Sequence, residues 1–214
     1  MSSLDPRQFL SNSTLYRRFQ ARLRNDNTAS RIRDEFLKIA PGQRVLDIGC
    51  GPAEILTHLP SDIDYHGFDV EQNYIETARA RFGERGSFAV RAVTPDAVND
   101  IGKFDVVMSL AVLHHLTDGQ ADTLFASAAK VLRPGGRVVT LDCAYVKGQS
   151  PIAYFLAAID RGRYVRTPDE YVSLARRHFQ NVNATILHDL IAVPYTHCIL
   201  EARDPFGSTA RKIS

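Results

Sequence analysis

The stretch VLDIGCGPAE, residues 45–54, decides the fold. Its first four residues have the apolar character of a buried parallel strand, and the two glycines that follow permit backbone conformations that other residues avoid. Residues 53–59 then have the apolar spacing of a short helix, which Pro60 ends. A strand, a glycine turn and a helix N-terminus in this order favour an anionic or nucleotide-like ligand. The alternative is a tight turn that needs glycine for its geometry alone.

Strand and helix patterns alternate through the rest of the chain. Capping residues predict helix starts at Thr117 and at Thr167, where Pro168 follows. Alternation of this kind predicts an α/β fold, with a doubly wound, Rossmann-like, mostly parallel sheet and helices on both faces. The further predicted elements are strands at about 64–69, 87–93, 104–110, 137–142, 183–191 and 195–202, and helices at about 71–82 and 117–132.

Length and composition restrict the class of protein. The 214 residues are 44% hydrophobic and 23% charged, which suits a single globular domain with one sizeable core. No apolar run approaches the roughly 20 residues that span a bilayer, and the N-terminus lacks a secretory signal, so we expect a cytoplasmic protein. Cys50, Cys143 and Cys198 lack paired spacing, which argues against disulfides and a metal site. A net charge of +2 does not by itself indicate a polyanionic partner.

The residues after the glycine turn discriminate between nucleotide ligands. A dinucleotide fingerprint would need glycine at position 54, where this chain has Glu54, so NAD is disfavoured. Asp69 ends the strand YHGFDV, residues 65–70, where a carboxylate can accept both hydroxyls of a ribose. The stretch FDVVMSLAVLHHL, residues 104–116, places His114 and His115 just past the carboxyl end of another strand, the edge where ligands bind in such sheets.

With LRPGGRVVTLD, residues 132–142, these motifs resemble in order those of class I S-adenosylmethionine-dependent methyltransferases, in particular small-molecule enzymes of methyltransferase types 11 and 12. The resemblance is close over about residues 44–142. It implies S-adenosylmethionine as cofactor, S-adenosylhomocysteine as product, and a seven-stranded sheet with an antiparallel last strand. The single domain would then comprise an N-terminal helical cap (1–42), a cofactor-binding core (43–143), a substrate-side insert (144–180) and closing strands (181–203).

The resemblance also implies a set of cofactor-binding residues. Asp69 would hold the ribose hydroxyls, Val70 would touch adenine, and Arg31 would meet the cofactor carboxylate. Many relatives carry an acidic residue after the third strand to bind the adenine amine, whereas this chain has Arg91, so the contact is assigned to the backbone of the next two residues or to Asp96. The remaining members are Tyr16, Asp47, Gly49, Cys50, Gly51, Ala92, Val93, Ser109, Leu110 and Ala111.

Methyl transfer itself asks little of side chains, because the sulfonium already activates the methyl group and positioning dominates the rate. A base is needed only if the acceptor must lose a proton. His114 and His115 are the candidates for this catalytic role, His114 foremost, although either could merely orient the acceptor or pack. The other five histidines are interpreted as structural: His58, His66, His178, His188 and His197.

The insert mixes aromatic and cationic residues. Tyr145, Arg163 and Tyr164 are predicted to bind an acidic or aromatic small-molecule acceptor, in a segment where Arg161 and Arg166 add guanidinium groups. The alternative is that these arginines lie on a solvated surface or pair with nearby acids. A nucleic-acid methyltransferase is disfavoured because the Asn/Asp-Pro-Pro-Tyr/Phe motif is absent after the fourth strand. A non-catalytic S-adenosylmethionine-binding protein also stays open, as do the acceptor's identity and the oligomeric state.

Overall fold

A computed structural model describes residues 26–159 and 162–207, so the predictions for Tyr16 and Arg161 fall outside the described residues. The chain alternates strands and helices as the sequence predicts. The strands are β1 (Arg44–Ile48), β2 (Asp64–Asp69), β3 (Gly86–Val90), β4 (Phe104–Leu110), β5 (Leu132–Cys143), β6 (Phe179–Leu187) and β7 (His197–Pro205). The helices are α1 (Asp26–Arg31), which a π-helical segment continues (Ile32–Leu37), α2 (Gln72–Phe82), α3 (Asp118–Val131), α4 (Pro151–Ile159) and α5 (Pro168–Ala175).

The seven strands form one sheet in the order β3-β2-β1-β4-β5-β7-β6. β1 to β5 pair in parallel, with Asp47 opposite Gly67 and Leu46 opposite Val107. β7 pairs antiparallel with both β5 and β6. The predicted sheet, mostly parallel with an antiparallel last strand, is therefore confirmed. The strand order reverses between β1 and β4, and ligands of such sheets bind outside the carboxyl ends of the strands at that point.

Helices cover both faces of the sheet. On one face α3 and α5 pack through Phe125, Tyr171 and Leu174, and on the other α2 packs through Ile75 and Ala78, all of them buried. Both predicted capping boxes are present: the side chain of Thr117 accepts a hydrogen bond from the backbone N–H of Gln120, and Thr167 does the same for Glu170.

Several predicted boundaries are wrong. The helix expected at 53–59 is a short 3₁₀ turn, Glu54–Thr57, because Ala53 has a left-handed backbone (φ 56°) that delays its start. β3 ends at Val90 rather than at residue 93. β6 begins four residues before the predicted 183, because Phe179 is buried and pairs with Pro205. β5 begins at Leu132 rather than at the predicted residue 137, with a register shift opposite β4.

No helix within the described residues is long and apolar enough to cross a membrane.

Candidate active site

The glycine turn between β1 and the 3₁₀ turn is tied to the end of β2. The backbone N–H groups of Gly49 and Cys50 both donate to the carbonyl of Phe68, at 2.7 and 3.1 Å. Gly49 (φ 76°) and Gly51 (φ 53°) both have left-handed backbones. A Cβ at position 51 would meet no atom within 4 Å, so the space beside this turn is open to a ligand. The predicted turn therefore has the backbone conformations that need glycine and open space beside Gly51.

Asp69 lies at the carboxyl end of β2, beside the turn. Its two carboxylate oxygens accept hydrogen bonds from the backbone N–H groups of Gly51 and Glu71, both at 2.9 Å. These bonds fix the carboxylate where it can accept the hydroxyls of a ribose. Val70 follows with 64% of its surface exposed, an apolar side chain next to this carboxylate. The pair suits a nucleoside, whose sugar is polar and whose base is flat and apolar.

Asp47 is buried in β1, and its carboxylate accepts a 2.6 Å hydrogen bond from the hydroxyl of Tyr65. Burial, together with the nearby charge of Asp69, raises the pKa of Asp47 to about 7, although the Tyr65 bond opposes the shift. Burial also raises the pKa of the neighbouring Cys50 thiol. Cys50 therefore lines the turn as a neutral thiol and is not a nucleophile.

The segment after β3 is the predicted adenine contact. The backbone N–H of Arg91 donates to the carbonyl of Asp69, which holds the segment against the end of β2. The side chain of Arg91 turns toward Asp100 at 3.1 Å. Ala92 is exposed and Val93 is half-buried, and both follow the end of β3, where Val90 pairs with Asp69 of β2.

The end of β4 provides the next part of the site. The hydroxyl of Ser109 is buried and donates to the carbonyl of Ile48, so this side chain joins β4 to β1. Leu110 is half-buried, and the exposed Ala111 has a left-handed backbone (φ 60°). The side chain of Ser109 therefore points into the sheet, and Leu110 and Ala111 lie at its carboxyl edge.

His114 lies in a 3₁₀ turn, Leu113–His115, just after β4. It is 5% exposed, and its Nδ1 lies 2.7 Å from Oδ1 of Asp142 at the end of β5. The backbone N–H of His114 donates to the same oxygen at 3.1 Å. Asp142 ends the motif LRPGGRVVTLD, but the sequence pattern predicted no role for it. An acid at the carboxyl end of a parallel strand was the available signal.

Two other histidines lie near His114. The exposed His115 has its ring centroid 4.1 Å from that of His114. His197, which the sequence suggested was only structural, begins β7 at the same edge of the sheet and is 8% exposed. Burial and the charge of His114 lower the pKa of His197 to about 4, so it stays neutral near pH 7. His197 therefore belongs to the surroundings of the candidate base.

The substrate-side insert closes directly onto His114. The backbone N–H of Tyr164 donates to the carbonyl of His114 at 3.0 Å. A Cβ on Gly162 would lie 2.1 Å from Cδ2 of the His114 ring, so only glycine fits there. Tyr145 contributes its ring, 5.0 Å from that of Tyr154, and Arg163 is exposed.

Arg166 is buried, whereas the sequence predicted that it adds a guanidinium group to the acceptor-binding segment. It is 6% exposed, and its guanidinium donates to the carbonyls of Leu113 and Leu116 and to the carboxylate of Asp118. This arginine joins the insert to the His114 turn and is not available to an acceptor. The prediction that all three insert arginines form one anion-binding cluster is therefore wrong for Arg166.

Arg31 lies in α1, at the same end of the sheet as the loop between β6 and β7. Its guanidinium pairs with Glu35 and Asp189, each at 3.0 Å, and these carboxylates raise its pKa. These two bonds use Nε and Nη1 of the Arg31 guanidinium.

Comparisons with known proteins agree with this geometry. A methyltransferase domain model matches residues 45–136. The ubiquinone biosynthesis O-methyltransferase of Chelativorans sp. is 37% identical over 44% of this chain and 38% of its own length. The phosphoethanolamine N-methyltransferase of Triticum aestivum is 31% identical over 78% of this chain and 32% of its own. The chain thus spans well under half the length of these two relatives.

Solved structures show the same fold. The S-adenosylmethionine-dependent methyltransferase SibL, in its apo form, superposes with a TM-score of 0.71 at 18% identity, over 95% of this chain and 63% of SibL. Magnesium protoporphyrin IX methyltransferase from Synechocystis, with bound S-adenosylhomocysteine, has a TM-score of 0.62 at 17% identity, over 94% of this chain and all of that one (100%). Residues 45–136 therefore match a methyltransferase domain, and the chain has the fold of S-adenosylmethionine-dependent methyltransferases.

Proposed function

We propose that this chain transfers a methyl group from S-adenosylmethionine to a small-molecule acceptor, with S-adenosylhomocysteine as the product. The observation that carries the proposal is the open glycine turn beside the backbone-held carboxylate of Asp69, within the matched methyltransferase domain. When bound, the cofactor supplies an activated methyl group on a sulfonium. The protein then has to position an acceptor in line with it and exclude water.

In this proposal, different residues bind the methionine, ribose and adenine portions of the cofactor. The glycine turn and Asp47 line the methionine and ribose end, and Asp69 accepts the ribose hydroxyls. The exposed apolar surface of Val70 packs against adenine, and the backbone of Ala92 and Val93 binds the adenine amine. The backbone of residues 109–111 surrounds the sulfonium and the amino-acid portion. Arg31 and Tyr16 complete the set at the carboxylate and over the cofactor.

The acceptor is proposed to bind between the His114 turn and the insert. His114 and His115 face it as the acid–base or orienting groups, and Tyr145, Arg163 and Tyr164 bind its acidic or aromatic portion. Two relatives are named for small-molecule chemistry, ubiquinone biosynthesis and phosphoethanolamine methylation, which supports an acceptor of this size. The single-domain organisation, from cap to closing strands, is part of the same proposal.

A labelled-methyl assay tests the function. The protein is incubated with methyl-labelled S-adenosylmethionine and either a panel of hydroxy-aromatic and amine acceptors, a cell extract, or RNA and DNA. We expect label in small-molecule products and formation of S-adenosylhomocysteine. Label only in polynucleotide would replace the proposed acceptor class. Binding of the cofactor with no transfer to any acceptor would favour a non-catalytic binding protein.

Arg163→Ala tests the acceptor site. Because Arg163 is exposed beside Tyr164, its loss should raise the Michaelis constant for the acceptor and leave cofactor affinity unchanged. Arg177→Ala is the matched control, since Arg177 is exposed and pairs with Asp122 away from the insert loop. Equal acceptor kinetics for both variants would remove Arg163 from the site.

A further inference from the structure

We propose that helix α4 binds the surface of a lipid bilayer that carries anionic headgroups, with its large apolar side chains among the lipids. The proposal concerns a surface of the insert and goes beyond the methyl transfer proposed above. It is carried by the burial pattern of α4, Pro151–Ile159, and by the charges of the insert on either side of it.

Helix α4 distributes its large and small side chains in an unusual way. Its nine residues, PIAYFLAAI, include no charged residue and no polar side-chain group other than the hydroxyl of Tyr154. The side chains that it buries are those of Ala153 and Ala157. Ile152, Tyr154 and Phe155, here called the outer face, are instead 56%, 57% and 58% exposed. A helix that is apolar on all sides is normally covered on all sides, by protein or by lipid.

The length and spacing of α4 suit a helix that lies along a bilayer. Ile152, Phe155 and Ile159 share one side of the helix, because residues three, four and seven positions apart lie in line. A helix of nine residues is about 14 Å long, whereas the hydrocarbon core of a bilayer is about 30 Å thick. Such a helix is too short to cross a bilayer, but its apolar side chains can enter the headgroup region from the surface.

The charges of the insert favour an anionic surface. Lys147 lies four residues before α4 and Arg163 four residues after it, and both are exposed. The described residues 144–159 and 162–168 include no carboxylate, and their remaining cation, Arg166, is buried. Basic side chains beside an exposed apolar helix are typical of surface-bound helices, and each one near an anionic bilayer is attracted to it.

The inner side of α4 meets the loop between β6 and β7. Ser150 and Ala153 line a cavity there together with His188 of that loop. Asp189, the next residue of the loop, has its carboxylate 3.0 Å from the guanidinium of Arg31. The negative charge of the loop is thus partly neutralised by an arginine, and it does not oppose binding of α4 to anionic headgroups at its full strength.

A second copy of the chain is the other candidate to cover the outer face. The exposed parts of its three side chains amount to roughly 400 Å², whereas a stable dimer buries about 800 Å² on each partner. Anionic headgroups, in addition, neutralise the cations on either side of α4. Area and charge therefore both favour lipid over a second copy.

Co-sedimentation of the 214-residue chain with vesicles tests the proposal. The probes are vesicles of phosphatidylcholine alone and vesicles of equal parts phosphatidylcholine and phosphatidylglycerol. We expect the anionic vesicles to bind at least about fivefold more tightly, the effect of one basic residue near an anionic surface, and we expect added salt to weaken that binding. Absence of binding to both kinds of vesicle would overturn the proposal.

The double variant Ile152→Gln/Phe155→Gln removes two apolar side chains of the outer face and keeps the buried alanines. We expect its affinity for the anionic vesicles to fall about tenfold or more, because fewer apolar groups enter the lipid. Phe206→Gln is the matched control and should bind normally, since Phe206 is 59% exposed but follows β7 at the opposite edge of the sheet. Equal affinities of the double variant and wild type would contradict the role of the outer face.

Lys147→Gln tests the contribution of charge. We expect it to lower affinity for the anionic vesicles about fivefold and to leave binding to phosphatidylcholine unchanged. Lys147 is the cation chosen because Arg163 is also assigned to the acceptor. An equal loss of affinity for both kinds of vesicle would contradict the attraction to anionic headgroups.

Hydrogen exchange locates the contact. Anionic vesicles should slow amide exchange at residues 151–159 and leave it unchanged at residues 203–207, at the opposite edge of the sheet. A dimer in light scattering that the double variant makes monomeric, with no slowing by vesicles, would assign the outer face to a second copy and overturn the lipid assignment. None of these measurements depends on methyl transfer, so their failure would leave the proposed function untouched.

Discussion

Asp69 is the residue on which cofactor binding depends most directly. Asp69→Ala removes the carboxylate that Gly51 and Glu71 hold at the end of β2. We expect affinity for S-adenosylhomocysteine to fall by about 1–3 kcal/mol, because buried ribose hydroxyls would lose their partner. Titration calorimetry measures the change. Asp64→Ala, at the opposite and exposed end of the same strand, is the control and should bind normally. Equal affinities for both variants would exclude Asp69 from the site.

Asp47 gives the unliganded protein a specific pH dependence. Its pKa is raised to about 7 in the folded state, so folding favours the protonated carboxyl. The stability associated with that protonated form is fully present below the unfolded pKa and is lost as pH rises through about 7. Asp47→Asn should therefore gain stability relative to wild type between pH 4 and pH 8, by about 2–4 kcal/mol, since a tenfold change in acidity is equivalent to about 1.4 kcal/mol. Urea denaturation at each pH measures it, and parallel pH profiles would contradict the raised pKa.

At the scale of elements, the contact between the insert and the His114 turn depends on Gly162. A Cβ at this position would overlap the His114 ring, so Gly162→Ala must displace the ring or the insert. We expect a loss of about 1–3 kcal/mol of stability, the usual cost of overpacking, and reduced methyl transfer. Gly119→Ala is the control, because a Cβ there meets no atom within 4 Å. Hydrogen exchange at residues 113–116 should increase in the first variant alone. Unchanged hydrogen exchange and activity in both variants would show that the insert accommodates the added methyl group without disturbing the His114 turn.

Variants of Arg166 and Arg163 distinguish a structural role from a binding role within the insert. Arg166→Met should destabilise the fold by about 2 kcal/mol, since it removes the Arg166 hydrogen bonds to the carbonyls of Leu113 and Leu116 and leaves Leu113 with only the backbone N–H of Leu116. Arg163→Ala should leave the unfolding temperature within about a degree, because an exposed side chain contributes little. Thermal unfolding compares the two. Similar unfolding temperatures would show that Arg166 does not hold the insert.

The element boundaries that the sequence predicted accurately are those that neighbouring residues determine. Both helix N-termini were predictable because Thr117 and Thr167 each begin a capping box, which a few adjacent residues specify. The start of β6 was not, because Phe179 joins the strand through pairing with Pro205, 26 positions away in the sequence and invisible in a local pattern. The left-handed Ala53 likewise shortened a helix whose apolar spacing was otherwise regular.

For the whole molecule, the sequence predicted which edge of the sheet carries the site but not how side chains are paired there. Parallel strands bring the ends of β1, β2 and β4 to one edge whatever their side chains, so the turn, Asp69 and His114 could be placed together. The partners of His114 depend on tertiary packing. Asp142 comes from β5 and His197 from the antiparallel β7, and no spacing in the sequence specifies that they meet.

Ligand selectivity of the intact chain tests the central claim most directly. Calorimetric titrations of the 214-residue chain with S-adenosylhomocysteine and, separately, with NAD compare the two nucleotide classes at the same glycine turn. Because position 54 is Glu54 rather than glycine and Asp69 ends β2, we expect micromolar binding of S-adenosylhomocysteine and no measurable binding of NAD. Micromolar binding of NAD, with none of S-adenosylhomocysteine or S-adenosylmethionine, would contradict it.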